Sequence, residues 1–173
     1  KAEMLDSIAA HLGKYLEEQF EIIERKHLKK EKQMSDKVYQ EKQQLIYGEY
    51  KQVLEHITVL DPACGSGAFL VKVFDYLLAE HKRVGEALGM GSLFDNESTY
   101  KSILQKNIYG VDLNAESVEI TKLSLWLKTA EKGKKLADLD NNIKCGNSLI
   151  DDPAVAGDKA FDWKTEFADI MNA

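Results

Sequence analysis

One stretch constrains the fold of this chain more than any other: Val59-Leu60-Asp61-Pro62-Ala63-Cys64-Gly65-Ser66-Gly67-Ala68-Phe69-Leu70. The apolar run from Ile57 to Leu60 ends on an acid and enters a loop of small residues. Behind the loop, Phe69, Leu70, Val73, Phe74, Leu77 and Leu78 recur at helical spacing. Strand, tight loop and helix together are the opening of a βαβ unit. Gly65 and Gly67 carry no side chain, so a ligand can approach the backbone where the first helical turn presents unpaired N–H groups. Asp61 places a carboxylate at the carboxyl end of the strand, where ligands of open α/β sheets bind.

The loop chemistry narrows the ligand. A dinucleotide loop carries a third glycine for close helix–strand packing, and here that position is Leu70. A phosphate-gripping loop needs Gly-Lys-Ser/Thr, and no lysine follows these glycines. A carboxylate ahead of the loop attracts an ammonium or sulfonium and repels a pyrophosphate. The ten residues from Asp61 to Leu70 closely resemble the S-adenosyl-L-methionine loop of N6-adenine-specific DNA methyltransferases, especially the large type I and type IIG restriction-modification enzymes. The resemblance implies a partial class I methyltransferase, Rossmann-like α/β fold with parallel strands in the order 3-2-1 and helices on both faces. It also implies that Asp61, Ala63, Cys64, Gly65 and Gly67 form the cofactor loop.

The chain has 173 residues, 44% of them hydrophobic and 30% charged, enough for one domain. No apolar run approaches a membrane span and no signal peptide opens the chain, so a cytoplasmic protein is expected. A chain that begins on Lys1 reads as a piece of a longer polypeptide. Cys64 and Cys145 form no Cys-x-x-Cys pair, and the four histidines lack metal-ligand spacing, so no metal site is expected. Cys64 reads as a small loop residue. The net charge of −6 is concentrated after residue 56, where 13 basic and 18 acidic side chains stand. Duplex binding relies on neutralising phosphates, so this segment has little electrostatic case for gripping DNA by itself.

Along the chain, residues 1–56 are expected to form a helical segment. Leu5, Ile8, Leu12, Leu16, Phe20 and Ile23 give one amphipathic helix to about Arg25. The charged stretch from Arg25 to Lys32 reads as a solvated turn. A second helix is expected from Asp36 to Glu55, with Val38, Leu45, Ile46, Val53 and Leu54 inward and the pair of helices covering one sheet face. Residues 57–150 are expected to form the cofactor-binding α/β core. After three glycines between Gly85 and Gly91, Asp95-Asn96-Glu97-Ser98 starts a short helix from Thr99 to Lys106. Asn107 to Asp112 is the second strand, again ending on an acid. Asp112 stands 45 residues after Gly67, beyond the usual spacing of about 20, and the glycine-rich break and short helix account for the difference. Either this acid accepts ribose hydroxyls or it caps the helix starting near Asn114. That helix is expected from Ala115 to Lys132, buried broadly through Val118, Ile120, Leu123, Leu125, Trp126 and Leu127. A cationic turn, Lys132-Gly133-Lys134-Lys135, ends it.

The third strand and loop run from Asn142 to Leu149. Tyr109 to Asn114 resembles the second methyltransferase motif, which implies cofactor contacts from Asp112 and Leu113. Gly146-Asn147 is similar to the third, implying that the Asn147 side chain faces the adenine amino group; taken alone, Asn147 reads as a turn former.

Residues 151–173 form a tail, and the family places a segment like Phe161 to Phe167 just before the strand leading to the catalytic loop. The family's Asn/Asp/Ser-Pro-Pro-aromatic loop is not in this chain, whose two prolines, Pro62 and Pro153, are far apart. No catalytic residue is therefore assigned. The expectation is the cofactor-binding portion of a restriction-modification DNA adenine-N6 methyltransferase, inactive by itself, with duplex DNA engaged by other parts of the parent. The alternatives are a cofactor-binding module that never catalyses, or an RNA or protein N-methyltransferase. The first strand should also leave one edge open for self-association unless the tail covers it.

Overall fold

A computed structural model describes residues 2–28, 35–91, 96–130 and 136–171, with side chains from Ala10 onward. The stretch from Lys29 to Lys32, Asp95 and the turn Lys132–Lys135 lie outside the described residues, as do the side chains of Leu5 and Ile8. Helices α1 (Ala2–His27) and α2 (Asp36–His56) precede strand β1 (Val59–Asp61) and helix α3 (Ala68–Ala87). Helix α4 (Asn96–Ser102) runs into a π-helical turn, Ile103–Asn107, and then strand β2 (Ile108–Asp112). Helix α5 (Ala115–Thr129), strand β3 (Ile143–Cys145) and the short helices α6 (Pro153–Ala156), α7 (Trp163–Glu166) and α8 (Ala168–Met171) complete the chain.

The three strands form one parallel sheet in the order β1-β2-β3, the expected order read from its other end. Leu60 lies opposite Tyr109, and Gly110 opposite Ile143. Right-handed crossovers between successive neighbours put both connecting helices on one face, and α3 and α5 pack there. Alternation along β2 sorts its side chains: Ile108 enters the larger core with Leu70, Phe74, Leu77 and Leu125, while Tyr109 and Val111 face the other way. That second face is closed by the tail, through Phe161, Trp163, Phe167 and Ile170 against Leu60, Tyr109 and Val111. The molecule is therefore an α/β structure, with long helices on one side of the sheet and short tail helices on the other.

Several sequence expectations need correction. Helices α1 and α2 pack onto α3, so they thicken the helical layer where they were expected to lie on the sheet. In α2 the buried stripe is Ile46, Tyr50 and Leu54, spaced four apart, which turns Val38 and Leu45 to solvent. In α5 the buried positions are Val118, Thr121, Lys122 and Leu125, leaving Ile120, Leu123 and Leu127 exposed, so its buried face is narrower than expected. The tail covers a face of the sheet and pairs beyond β3, where Ala160 bridges Asn147, and it leaves the edge of β1 alone. Among the described residues the outer edge of β1 pairs with no strand.

Two buried asparagines tie the strand entrances together. Asn107 Nδ2 donates to the carbonyls of Leu54 and Ile57, at 2.9 and 2.6 Å, fixing the end of α2 against the start of β2. Asn142 Nδ2 donates to Gln105 and Ile108 at 3.1 and 3.0 Å. Each amide satisfies carbonyls that the strand ladder cannot reach.

Candidate functional site: the loops at the carboxyl ends of the strands

The loop after β1 is shaped by its own short bonds. Asp61 Oδ1 accepts the Ala63 N–H at 3.0 Å, and Gly67 N donates to Cys64 O at 2.8 Å. Gly65 and Gly67 sit at φ +53° and +77°, a region where a side chain would be strained. Gly67 is also the N-cap of α3 and, lacking a side chain, leaves that helix without a side-chain cap. The N–H groups of the first turn are thus available to a ligand. The close helix–strand approach that a third loop glycine would allow is supplied from the strand instead. A Cβ on Gly110 would stand 2.8 Å from Leu70 Cδ1 and 3.2 Å from Cys64 Cβ.

Register brings the second acid to this loop. Asp61 pairs with Gly110, so Asp112 stands beyond the end of β1. Asp112 Oδ2 accepts the Gly65 N–H at 2.8 Å and Oδ1 accepts the Asn114 N–H at 2.9 Å. The helix cap itself is Asn114, whose Oδ1 accepts from Glu116 and Ser117, so the capping role considered for Asp112 belongs two residues later. Each Asp112 oxygen retains a lone pair. Burial raises the Asp61 carboxyl above its ordinary value, and the negative charge of Asp112 raises it further. Two carboxylates of one sign, close enough to feel each other, favour a cationic or hydroxyl-bearing ligand between them.

Cys64 is buried, its N–H donates to Val111 O at 2.9 Å, and burial pushes its thiol up to about 11. It is a packing residue of the loop. Ala63 and Leu113 are exposed, Leu113 at 56% on the rim beside Asp112. In the loop after β3, Asn147 is half-buried and its Oδ1 accepts the Leu149 N–H at 3.1 Å, the local turn that asparagine forms readily. Its second lone pair remains for a donor from a ligand.

Sequence reasoning missed the residues that hold these loops from behind. Thr121 on α5, fully buried, donates to Gly65 O at 2.8 Å; a polar residue in the stripe Val118-Thr121-Leu125 was the available signal. The tail clamps the loop after β3. Asn147 N donates to Lys159 O at 2.7 Å, Phe161 N to Ile150 O at 2.9 Å, and Trp163 Nε1 to Ser148 O at 3.0 Å. The Phe161 ring occupies the space a Cβ on Gly146 would need. Among the described residues, no group of histidines, cysteines and acids is arranged to hold a metal, and no helix is long and apolar enough to cross a membrane.

Comparison with known proteins gives this geometry a context. The family model described as Eco57I restriction-modification methylase matches residues 106–173, from the π turn through the tail. A putative type II restriction enzyme and methyltransferase of Methanocaldococcus jannaschii is 38% identical over 109 residues, covering 56% of this chain and 9% of that protein. The type II restriction enzyme and methyltransferase RM.Eco57I of Escherichia coli is 35% identical over 118 residues, covering 57% of this chain and 11% of that protein. The adenine-specific methyltransferase PglX of Lacticaseibacillus casei is 26% identical over 89 residues, covering 51% of this chain and 7% of that protein. No solved structure matches the chain. The chain spans about a tenth of the length of these curated relatives, and residues 106–173 are similar to the restriction-modification methylase family.

Proposed function

We propose that this chain is the S-adenosyl-L-methionine-binding portion of a site-specific DNA adenine-N6 methyltransferase, built on a Rossmann-like methyltransferase half-sheet. The observation that carries the reading is the meeting of Asp61 and Asp112 on either side of the Gly65–Gly67 loop, at the carboxyl ends of adjacent parallel strands. The donor set suits that cofactor. The free lone pairs of Asp112 accept ribose hydroxyls, as charge-assisted bonds. The Asp61 carboxylate attracts the ammonium and sulfonium charges. Leu113 offers an apolar flank to the adenine ring, and Asn147 Oδ1 accepts from its amino group. Ala63, Cys64, Gly65 and Gly67 give the backbone a close approach.

When bound, the cofactor supplies an electrophilic methyl group for direct displacement by the target amine. This chain's residues bind and orient it. The base-holding Asn-Pro-Pro-aromatic loop is not among these 173 residues, so duplex DNA and the flipped adenine are handled elsewhere in the longer polypeptide. Adenine specificity follows the name of one relative, PglX, and the resemblance of the Asp61–Leu70 loop.

Calorimetry on the chain tests the cofactor. S-adenosylhomocysteine is expected to bind and NAD to bind more weakly, and the reverse order would defeat the reading. A tritiated-methyl assay with duplex DNA is expected to show no transfer by this chain alone. The unpaired edge of β1 favours self-association, expected in light scattering as growth of a dimer with concentration. A monomer at all concentrations would remove that part of the proposal.

A further inference from the structure

We infer that Thr121 is a positioning residue for the cofactor loop, acting through its hydroxyl on Gly65 and through its bulk on Gly67. The inference deepens the proposed function and rests on the reading of this loop as a cofactor seat.

The argument begins at Gly65. Its φ of +53° lies where side chains rarely go, yet nothing stands within 4 Å of the place a Cβ would take. Packing therefore does not impose that conformation. What holds the residue is a bond at each end: its N–H donates to Asp112 Oδ2 at 2.8 Å, and its carbonyl accepts from Thr121 Oγ1 at 2.8 Å. Glycine loses more conformational freedom on ordering than any other residue, so a loop with two glycines pays most when nothing restrains it beforehand.

At Gly67 the same side chain acts by contact. A Cβ there would meet Thr121 Cγ2 at 2.8 Å and Oγ1 at 2.9 Å. One threonine thus fixes one glycine by a hydrogen bond and packs against the next. Its hydroxyl is otherwise out of place. Thr121 is fully buried on a helix stripe between Val118 and Leu125, where a valine of the same shape would pack without desolvating a polar group. The Gly65 carbonyl is its close partner, with Cys64 Sγ a distant second at 3.9 Å. Asp112 holds the same residue from its amide side, through the preceding peptide group. The two side chains together set how the Gly65–Gly67 backbone and the first turn of α3 are presented before any ligand arrives.

The test compares Thr121→Val, which keeps the shape and loses the bond, with Thr121→Ser, which keeps the hydroxyl. Two readouts are taken on the chain: hydrogen exchange at the Gly65, Ser66 and Gly67 amides, and calorimetric affinity for S-adenosylhomocysteine. For Thr121→Val, exchange at those amides is expected to rise and affinity to fall, each roughly three- to ten-fold, the value of one neutral hydrogen bond. Thr121→Ser is expected to restore the affinity. Unchanged loop exchange and unchanged affinity in Thr121→Val would overturn the inference. So would exchange that rises across the whole molecule together with a lower melting temperature, since that pattern belongs to a structural core residue. If the unsubstituted chain binds no S-adenosylhomocysteine, the proposed function fails. The loop exchange alone then decides whether Thr121 holds the glycines.

Discussion

Replacing Asp112 by alanine removes two hydrogen-bond acceptors at once, and the structure sets the size of the loss. Its carboxylate accepts the Gly65 N–H at 2.8 Å and the Asn114 N–H at 2.9 Å, joining the loop after β1 to the start of α5 across 47 residues of sequence. Bonds to a charged acceptor contribute about 1.5–3 kcal/mol each when buried. Here the carboxylate is half-exposed, and water takes over part of each bond, so we take about 1–1.5 kcal/mol apiece and about 2–3 kcal/mol together. For a chain of this length, 1 kcal/mol corresponds to about 2–4 °C in melting temperature. Asp112→Ala is therefore expected to melt about 4–12 °C lower in calorimetry. Asp112→Asn keeps one amide oxygen as acceptor and turns its NH2 toward the other donor, so it should retain at most half of the stabilisation. Both variants are expected to lose S-adenosylhomocysteine binding by ten-fold or more, on the order of one charge-assisted bond. A melting temperature within about 2 °C of the unsubstituted chain would refute the reasoning, because 2 kcal/mol cannot hide in so small a shift.

Other substitutions probe separate features. Among the described residues, buried His81 has no partner at Nε2, and burial holds its pKa below the ordinary value, while Glu55 and Glu80 oppose that shift and Lys51 adds to it. Below pH of about 6.5 the unfolded chain takes up a proton that the folded chain resists. Stability should thus fall as pH falls, by up to about 1.4 kcal/mol per unit from this group, and His81→Phe should flatten that slope in denaturant titrations at pH 7.5 and 5.5. An unaltered slope would mean that other groups carry it. With its thiol near 11, Cys64 is about a thousandth ionised at pH 8. Mass-spectrometric labelling with iodoacetamide should leave it unmodified while the half-exposed Cys145 reacts; equal labelling would show that the loop opens. Gly146→Ala drives a methyl group into the Phe161 ring, expected to cost about 1–3 kcal/mol, and the companion change Phe161→Leu should recover part of the loss in melting temperature.

The strand order came from the family resemblance, whereas the glycine loop and the two acids were legible because each has a local signature: an apolar run, a helical repeat, or a residue needed for positive φ. The role of Asp112 in joining two loops was not, since it depends on the pairing of Asp61 with Gly110, which no local pattern encodes. Asp112→Ala accordingly touches stability as well as binding. Leu45 and Tyr50 in α2 show a second limit. Periodicity finds an apolar stripe, but the partner's shape decides its centre, and the stripe centres on Tyr50 because its hydroxyl reaches Glu80 on α3 at 2.9 Å. Asn147 shows a third: asparagine after glycine serves turn and ligand equally, and here its oxygen already accepts Leu149.

The unequal sizes of the two cores divide the molecule energetically. The larger one runs from α1 to β3 on one face of the sheet, while the smaller comprises Val111, Phe161 and Phe167 with a few half-buried neighbours. Proteins open in cooperative units whose free energies follow the contacts each unit carries, so the tail from Asp151 is the unit that lets go first. Its release would uncover Leu60 and Val111 and break the bonds from Lys159, Phe161 and Trp163 to the loop after β3. Cleavage by a low concentration of protease would then fall after Asp151, well before any cut in α3 or α5. The Asn147 loop would report that sub-global opening, while the Gly65 loop, anchored in the larger core, would stay protected until the whole molecule unfolds.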